Sequence, residues 1–522
     1  MSNFNNGTGG LSRRGLLKGA TALGAAGLIL PASMRKAAAE PKKGGTLRIG
    51  IGHGSTSDSL DPATYEQLFT QTLGACLHCY LTEVAPDGTL IGELAESWEA
   101  SADAATWTFK LRDGVTFHGG KTLDAGDVIA SINHHRGEDS KSAAKPIVEP
   151  IADITGEGNT VVFTLTAGNA DFPFIMSDYH LPIMPATDGK IDANAADGAG
   201  GYIMDSWEPG VDAKLNRNPN YWKAGRAHFD RIELYAIHDA AARQNALITG
   251  EVDVIDEVDR NTVGLLANAP GVTILPVTGT QHYVFPMDTT QAPFTDNNVR
   301  QALKYALDRQ EMVDKILGGY GSVGNDHPIS PANRFYNPDL EQHTYDPDKA
   351  KYYLKQSGLD SVTVQLSTAD AAFTGSVDAA VLYSEKAAAA GITLEVVREP
   401  NDGYWDNVWM KKSWVGSYWG GRPTEDWMFS TAYAAGAPWN ETRWDNARFN
   451  ELLLAARSEL NEDLRREMYY EMQDLCSNEG GVVVPMFASY VMAHSDKVMH
   501  EDTVAANWSL DGYRAVERWW FA

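Results

Sequence analysis

A dense group of aromatic side chains occupies residues 404–444 of this 522-residue chain. Seven of the 14 tryptophans stand there, at positions 405, 409, 414, 419, 427, 439 and 444. Such rings often form a domain core, but the segment 417–427 mixes them with glycine, proline and charge, which is typical of a loop that lines a ligand cleft. A flat apolar ring covers a ligand without requiring a particular charge. Trp419 is therefore the leading candidate for ligand contact, with Tyr418 and Trp427 beside it.

Charged residues in and near the same loop could match the charge of a ligand. Arg422 in a closed cleft favours a carboxylate, a phosphate or another anion. Arg443 and Arg398 are further candidates for binding an anion, and Asp426 is a candidate polar contact. Glu425 and Asp426 are also close enough in sequence to hold Arg422 in a structural salt bridge. Ligand binding and internal pairing are therefore both open alternatives for Arg422.

The glycine motifs and cysteines suggest chemistry that their sequence context does not support. Gly319 to Gly324 follow a dinucleotide-binding pattern, but they come after a predicted helix instead of opening one. The chain has no zinc-protease motif and no nucleophile elbow. Cys76 and Cys79 are three apart in a predicted helix over Glu66 to Leu81, so they would share one helix face. Buried core thiols are the leading interpretation, with a disulfide or a metal site as alternatives. We expect no enzyme activity, no cofactor and no metal.

The distribution of charge separates the first 39 residues from the rest of the chain. The net charge is −26, although residues 1–39 contribute five basic and no acidic side chains. The acidic remainder should repel nucleic acid and anionic membrane surfaces. Arg13 and Arg14 precede a mildly apolar stretch, and small residues at 37–39 allow cleavage before Glu40, which resembles a twin-arginine export signal. The stretch is too short to span a membrane, so we expect export to the periplasm as a soluble mature protein.

Alternating strand and helix signals position these candidates. Runs that are rich in β-branched and aromatic residues predict strands at Thr46–Ile51, Trp107–Leu111, Val115–Phe117, Val161–Thr166, Val362–Leu366 and Ile392–Val397. Aspartates that precede apolar periodic segments predict helix starts at Asp124, Asp239, Asp296, Asp308 and Asp346. Strands and helices alternate, with antiparallel hairpins in the first half, which predicts a mixed α/β fold.

Several segments in a fixed order carry a resemblance to a known family. They are Gly45-Thr46-Leu47-Arg48, Ser59-Leu60-Asp61-Pro62, Glu93 to Trp98, Trp107 to His118, Asp127-Val128, Gly250-Glu251-Val252-Asp253, Val299 to Leu303 and Asp308-Arg309. From about Gly44 to the C-terminus, the chain resembles the extracytoplasmic solute-binding proteins of family 5. Those proteins serve ABC importers of peptides, nickel chelates and related solutes.

The resemblance implies a periplasmic binding protein fold of two α/β lobes, with the ligand enclosed between them. The implied domains are a first lobe over 40–282 with an extra subdomain over about 86–200, a second lobe over 283–489 and a C-terminal return to the first lobe over 490–522. The chain would cross between the lobes near Gln281–Met287 and Ser489–Ala493. The implied protein is a non-catalytic monomer that delivers a small-molecule or short-peptide ligand to the membrane subunits of an ABC permease.

The resemblance also adds candidates for the ligand site. In dipeptide-binding relatives the matching loop resembles Trp-x-x-Asp, and the Asp receives the amino group of the ligand. The position three after Trp419 is Arg422, so this chain departs from that pattern. We predict instead that Trp419 and Arg422 form a pair, a stacking face beside an anion clamp. Relatives also bring the first loop to the ligand, which adds Ser57 and Asp58.

Several classes of ligand and function stay open at this point. The tryptophans are compatible with an oligosaccharide, the arginines with an opine-like anion, and His282 with a metal chelate. A sensor that hands its ligand to a membrane receptor and an exported enzyme are alternatives to the importer component.

Overall fold

The computed structural model describes residues 41–260, 262–422 and 424–522. The predicted signal segment, residues 1–39, lies outside the described residues. Strands and helices alternate along the chain, which confirms the mixed α/β class predicted from the sequence.

The strands are β1 (Thr46–Ile51), β2 (Thr82–Val84), β3 (Leu90–Gly92), β4 (Ala95–Ala100), β5 (Thr106–Leu111), β6 (Ile151–Glu157), β7 (Thr160–Leu165), β8 (Ala186–Thr187), β9 (Lys190–Ile191), β10 (Tyr202–Glu208), β11 (Asp212–Arg217), β12 (Arg231–Ala236), β13 (Val254–Ile255), β14 (Val272–Pro286), β15 (Gly321–Val323), β16 (Val362–Thr368), β17 (Ile392–Arg398), β18 (Ser417–Trp419), β19 (Val482–Ser495), β20 (Val498–Met499) and β21 (Trp520–Phe521).

The helices are α1 (Leu68–Leu77), α2 (Ala125–His134), α3 (Lys145–Val148), α4 (Phe172–Ile175), α5 (Ala240–Thr249), α6 (Val263–Leu266), α7 (Asn297–Tyr305), α8 (Arg309–Ile316), α9 (Pro347–Gln356), α10 (Ser376–Ala388), α11 (Tyr404–Asn407), α12 (Glu425–Ala432), α13 (Ala447–Ser458), α14 (Glu462–Glu479), α15 (Ser509–Gly512) and α16 (Ala515–Arg518).

Aspartate side chains begin five helices where the sequence predicts. Asp124, Asp239, Asp296, Asp308 and Asp346 each accept a hydrogen bond from a backbone N–H in the first turn of α2, α5, α7, α8 and α9. These bonds satisfy donors that have no partner inside the helix. At α2 the third helical residue, also an aspartate, accepts in return from the N–H of the cap residue, which completes a capping box.

The predicted strand over Val115–Phe117 is wrong. After β5 the chain turns at Gly114, whose φ is +76°, and β5 pairs with β4 and β7 instead. The segment keeps a single bridge, between Thr116 and Thr122. The strands that flank β5 are β4, which precedes it in the chain, and the more distant β7.

The predicted helix over residues 66–81 is shorter than expected, and this separates the two neighbouring cysteines. The helix is α1, which ends at Leu77, and Cys79 lies beyond it in a bridge with Ile183. Cys76 and Cys79 therefore do not share a helix face. Both are free buried thiols, and burial raises the pKa of each, so the interpretation as core thiols is confirmed.

A nine-stranded sheet connects distant parts of the described chain. Its order is β10-β11-β12-β1-β13-β19-β14-β18, and β15 also pairs with β19. The long strands β14 and β19 form an antiparallel ladder. Its regular register is interrupted between Thr278 and His282, close to the predicted crossings.

Buried apolar side chains form separate cores on the two sides of that interruption. Three clusters are built from residues up to 277, and two of these also contain C-terminal residues from 491 onward. Tyr320 packs against one of them. Two other clusters contain residues 283–488. We call these two groups the first lobe and the second lobe. The exact domain limits stated above stay a prediction.

A buried network of charges attaches the C-terminal segment to the first lobe. It joins Glu83, Glu93, Glu517, Lys223, Arg226, Arg514 and Arg518. Glu93 accepts hydrogen bonds from both terminal nitrogens of Arg514, at 2.9 and 2.8 Å, and from Lys223 Nζ at 2.6 Å. Although burial opposes it, Lys223 and Arg514 lower the pKa of Glu517 to about 2. Every charge named here has an opposite charge beside it.

Candidate functional site

A cavity of about 1050 Å³ lies between the two lobes. The first lobe and the C-terminal segment line one side, the second lobe lines the other, and β14 passes along it. The lining residues are Trp98, Trp107 and residues within the segments 84–90, 170–178, 275–280, 331–334, 422–427, 459–466 and 502–508. Clefts between domains are common positions for small-molecule sites, and this volume is large enough to enclose a ligand.

Aromatic rings from both lobes supply much of the apolar surface of the cavity. Trp98, Trp107 and Phe174 come from the first lobe, Trp427 comes from the second, and Trp508 comes from the C-terminal segment. Rings provide large contact areas that tolerate varied ligand shapes. The charged residues described below lie among them, so the cavity suits a solute that has both apolar and charged parts.

Trp508 precedes a strained turn in the C-terminal segment. The four residues 510–513 have φ between 52° and 66°, a left-handed conformation that is costly for residues with a Cβ. The Asp511 carboxylate stabilises the turn by accepting from the backbone N–H of Ala505 at 2.8 Å. The Trp508 ring stacks on Tyr513, with 6.0 Å between centroids. Maintained strain beside a cavity is typical of a functional site.

Four arginines line the cavity, namely Arg334, Arg422, Arg465 and Arg466. Three of them are paired with carboxylates, as Arg334–Glu462, Arg465–Asp171 and Arg466–Asp463. Within residues 41–260, 262–422 and 424–522, Arg422 has no carboxylate at salt-bridge distance. The four cationic side chains thus differ in whether the protein itself neutralises them.

The Arg465–Asp171 pair joins the two lobes across the end of the cavity. Arg465 Nη1 donates to one carboxylate oxygen of Asp171 at 2.7 Å, and Nη2 lies 2.6 Å from the other. Both side chains are almost fully buried. Next to them, the N–H of Ala170 donates to the carbonyl of Arg457 at 2.7 Å. This contact exists only when the lobes are adjacent, and breaking a buried pair leaves an uncompensated charge.

A glycine brings the Arg422 loop against β14. Gly421 has φ +81°, and a Cβ on it would lie 2.0 Å from Thr280 Oγ1, so this approach requires glycine. The Arg422 guanidinium lies 5.6 Å from the Trp419 ring centroid and 6.0 Å from that of Trp427, which is cation–π range. Arg422 Nη1 donates to the carbonyl of Gly421 at 2.7 Å. Two rings and its own backbone therefore hold the side chain at the cavity wall.

The salt bridge between Arg422 and Glu425 or Asp426, one of the two alternatives for this arginine, does not form. Glu425 is buried and accepts from the N–H of Phe335 at 2.7 Å. Asp426 pairs with Arg457, whose Nε lies 3.2 Å from it. Burial raises the pKa of both carboxyl groups. Both residues stand in the first turn of α12, where their carboxylates bind these other partners.

The Trp419 ring packs against the Arg422 guanidinium, and Tyr418 faces away from the cavity. The Trp419 side chain is 6% exposed and belongs to the core of the second lobe, and its Nε1 donates to the buried carboxylate of Glu441 at 2.9 Å. Tyr418 is 43% exposed and packs edge-on against Trp405. Successive residues of a strand point to opposite faces, so β18 presents only one of these two rings to the Arg422 side.

Three other candidates from the second half lie away from the cavity lining. Arg443 pairs with the buried Asp288 at 2.6 Å, and Arg398 is a largely exposed side chain on β17. His282 is fully buried on β14, where its Nδ1 lies 2.9 Å from the carbonyl oxygen of Thr280. Burial lowers the pKa of His282 to about 4, which keeps the ring neutral at ordinary pH.

The first-loop candidates form local contacts on the surface of the first lobe. Asp58 accepts from the N–H of Ser55 at 2.9 Å, and the hydroxyls of Ser55 and Ser57 are 2.8 Å apart. Neither Ser57 nor Asp58 lines the cavity. Among the named candidates, the structure therefore brings Arg422 and Trp427 to the cavity. Trp419 does not line the cavity, but its ring contacts Arg422.

One group of carboxylates has the spacing of a metal site. Within the described part of the chain, Glu83, Glu93 and Glu517 are the only three metal-ligating side chains whose oxygens lie within 4.8 Å of one another. They are already neutralised by Lys223 and Arg514, so their surroundings do not favour an additional cation.

Sequence reasoning missed several residues at the cavity. Asp171, Arg334 and Arg465 pair with partners that are far away in sequence, so local patterns carry no signal for them. Trp508 lies in a C-terminal segment with other apolar residues, such as Val504 and Leu510, so its residue type alone does not mark it. Asp178, whose carboxylate accepts from His180 Nδ1 at 2.8 Å, also lines the cavity.

Comparisons with known proteins agree with this architecture. Residues 89–441 match the model of the bacterial extracellular solute-binding proteins, family 5 Middle. The dipeptide-binding protein of Escherichia coli (strain K12) is 25% identical over 479 residues, covering 83% of this chain and 85% of that protein. The glutathione-binding protein GsiB of Pectobacterium atrosepticum is 28% identical over 314 residues, covering 59% of this chain and 60% of the relative. For that relative, the match therefore spans less than two thirds of its length.

Solved structures share the two-lobed fold. HbpA2 from Haemophilus parasuis matches with a TM-score of 0.80 and 21% identity, covering 92% of this chain and 100% of the other. In the part of the chain that the structure describes, no helix is long and apolar enough to cross a membrane.

Proposed function

The chain belongs to the bacterial extracellular solute-binding proteins of family 5, and from that premise we propose that it is the substrate-binding component of an ABC importer. It captures a peptide or peptide-sized solute and delivers it to the permease subunits. The observation that carries this proposal is the cavity of about 1050 Å³ between two separately packed lobes. The dipeptide-binding relative supports the ligand class.

Capture proceeds by closure of the lobes around the ligand. The register of β14 against β19 is interrupted between Thr278 and His282, so fewer ladder hydrogen bonds resist bending at that point. The Asp171–Arg465 contact joins the lobes on one side of the cavity. A ligand that touches both walls favours the closed state by its differential affinity for that state.

The identity of the ligand is tested by mass spectrometry of small molecules released on denaturation of the purified protein. We expect short peptides or peptide-like solutes, and calorimetric titration of the recovered compound should give saturable binding. Small-angle scattering should give a smaller radius of gyration with that compound than without it. Release of only sugars or metal complexes would contradict the peptide-sized class, and an unchanged radius would contradict closure.

We also propose that the protein acts in the periplasm as a monomer and leaves its ligand chemically unchanged. The paired Arg13 and Arg14 in the basic first segment support export by the twin-arginine route. Replacing both by Lys should leave unprocessed protein in the cytoplasm, and normal processing would indicate another route. Incubation of the mature protein with amide, ester and glycoside substrates should give no product, since any turnover would indicate an exported enzyme.

A further inference from the structure

Arg422 is a cation in the cavity wall without a counter-charge from the described residues. The other three arginines of the lining have carboxylate partners. A guanidinium has five N–H donors, and Arg422 uses one of them, on the carbonyl of Gly421. Burial lowers its pKa, because a charge that is removed from water without a partner is destabilised. The protein therefore maintains this charge at a cost in stability.

The surroundings restrict where the Arg422 guanidinium can lie. The rings of Trp419 and Trp427 both lie within about cation–π range of it. The Trp419 ring is itself fixed, because its Nε1 donates to the buried Glu441. Gly421 allows the loop to contact Thr280. A long side chain that would otherwise be mobile is thus held at the cavity before any ligand arrives, which lowers the entropic cost of binding.

The carboxylates that line the cavity do not compensate Arg422. Glu462 is paired with Arg334, and Asp178 accepts from His180. Glu459 accepts from the N–H of Asn461, and Asp87 and Asp502 are exposed. The N–H donors of Arg422, which bind no carboxylate of the described residues, therefore match an acceptor that a ligand would bring.

We infer that Arg422 binds an anionic group of the ligand, and that this group is a carboxylate. The planar fork of a guanidinium matches the two oxygens of a carboxylate in a bidentate arrangement, and this match is lost with Lys. The inference rests on the proposed function in one respect, namely that the ligand binds in this cavity. It adds the charge of the ligand and the residue that selects it.

The first test uses two matched tripeptide libraries, one with free C-terminal carboxylates and one with C-terminal amides. Both libraries are N-acetylated, so that the carboxylate is the only terminal charge. Wild type should retain the free-acid library over the amide library by roughly 30-fold or more, the size expected for a buried charge pair. Arg422→Gln should lose this preference, and Arg422→Lys should keep part of it. Arg398→Gln, which changes an exposed arginine outside the cavity, is the matched control and should behave as wild type.

Equal retention of both libraries by wild type, or an undiminished acid preference in Arg422→Gln, would overturn the inference. Thermal unfolding of each variant checks that it folds. Retention of neither library by wild type would count against the peptide part of the proposed function, and a second measurement then decides the inference.

The second test uses bare anions and does not depend on the identity of the ligand. Sodium acetate, sodium phosphate and sodium chloride are compared at equal ionic strength and pH by thermal unfolding. Acetate should raise the melting temperature of wild type above its value in chloride, and Arg422→Gln should abolish this difference. An equal effect of acetate on both proteins would overturn the inference. A shift with phosphate but not acetate would replace the carboxylate by a phosphate group.

Discussion

The charge network of the first lobe and Arg422 in the cavity wall are two buried charged regions that are built in opposite ways. Around Glu93, the protein supplies Lys223 and Arg514 as partners at 2.6 to 2.9 Å. Around Arg422, it supplies two aromatic rings and one carbonyl. The first arrangement pairs each charge with an opposite charge of the protein, whereas Arg422 has no carboxylate partner among the described residues.

The difference indicates which charges maintain the fold and which are available to a ligand. Removing one member of a complete network leaves the others buried and uncompensated, which is strongly destabilising. Removing an unpartnered charge relieves a desolvation penalty and should cost little. The Arg465–Asp171 pair is intermediate, because Arg465 lines the cavity yet the pair is complete only while the lobes are in contact.

The largest expected effect is on the network. Arg514→Met should lower the free energy of unfolding by about 3–5 kcal/mol, because Glu93 and Glu517 both lose a buried partner. Urea denaturation of the mature protein measures this change. Arg398→Gln, at an exposed side chain, is the control and should stay within about 0.5 kcal/mol of wild type. A loss below about 1 kcal/mol for Arg514→Met would contradict the conclusion that the paired charges of this network stabilise the fold.

A smaller effect is expected at the contact between the lobes. Asp171→Asn should weaken the closed state by about 2 kcal/mol, the lower end for truncating a buried charge pair. The ligand-free protein should then show a larger radius of gyration and bind its ligand less tightly. Asp463→Asn is the matched control, because Asp463 pairs with Arg466 at an exposed position. If the two variants scattered alike, the Asp171–Arg465 pair would not control lobe contact.

A third effect depends on pH and involves the neutral His282 on β14. Its pKa in the folded state is about 4, mainly because of burial, with Arg422 contributing in the same direction. The unfolded state binds a proton near pH 6.5 and the folded state does not, so stability falls as pH decreases below about 6.5. His282 should account for about 2 kcal/mol of the loss between pH 7 and pH 5. Urea denaturation at both pH values, compared with His282→Asn, measures this share, and identical pH slopes would contradict it.

The smallest expected effect on stability is at Arg422 itself. Arg422→Gln should change the free energy of unfolding by less than about 0.5 kcal/mol, since Arg422 forms no ion pair within residues 41–260, 262–422 and 424–522. The same urea titration used for Arg514→Met provides the measurement. A loss of several kcal/mol would mean that Arg422 belongs to the structural charges, and the contrast with Arg514 would disappear.

Local features of the fold were predictable from the sequence. Aspartates at 124, 239, 296, 308 and 346 begin helices as expected, because capping depends on residues that are adjacent in the chain. The predicted strand over Val115–Phe117 is wrong, because strand pairing depends on partners that can be distant in sequence. The family resemblance predicted the two lobes, and the family match confirms it.

The loop that contains Arg422 was predictable in part. Residue types alone selected Arg422 and Trp427, which line the cavity. They did not distinguish Trp419, which faces Arg422, from Tyr418, which faces outward, because that depends on which face of β18 is buried. They also selected Arg443 and His282, which the packing places elsewhere.

The sequence by itself determined the family, the helix starts and the presence of an arginine in an aromatic loop. Only the tertiary structure decided that this arginine has no carboxylate partner among the described residues. Glu425 and Asp426 are its nearest acidic neighbours in sequence, yet they bind the Phe335 amide and Arg457. Asp171 pairs with an arginine 294 residues away. Charge pairing acts over a few ångströms in space regardless of sequence distance, so the partner of each charge is settled only when the lobes pack.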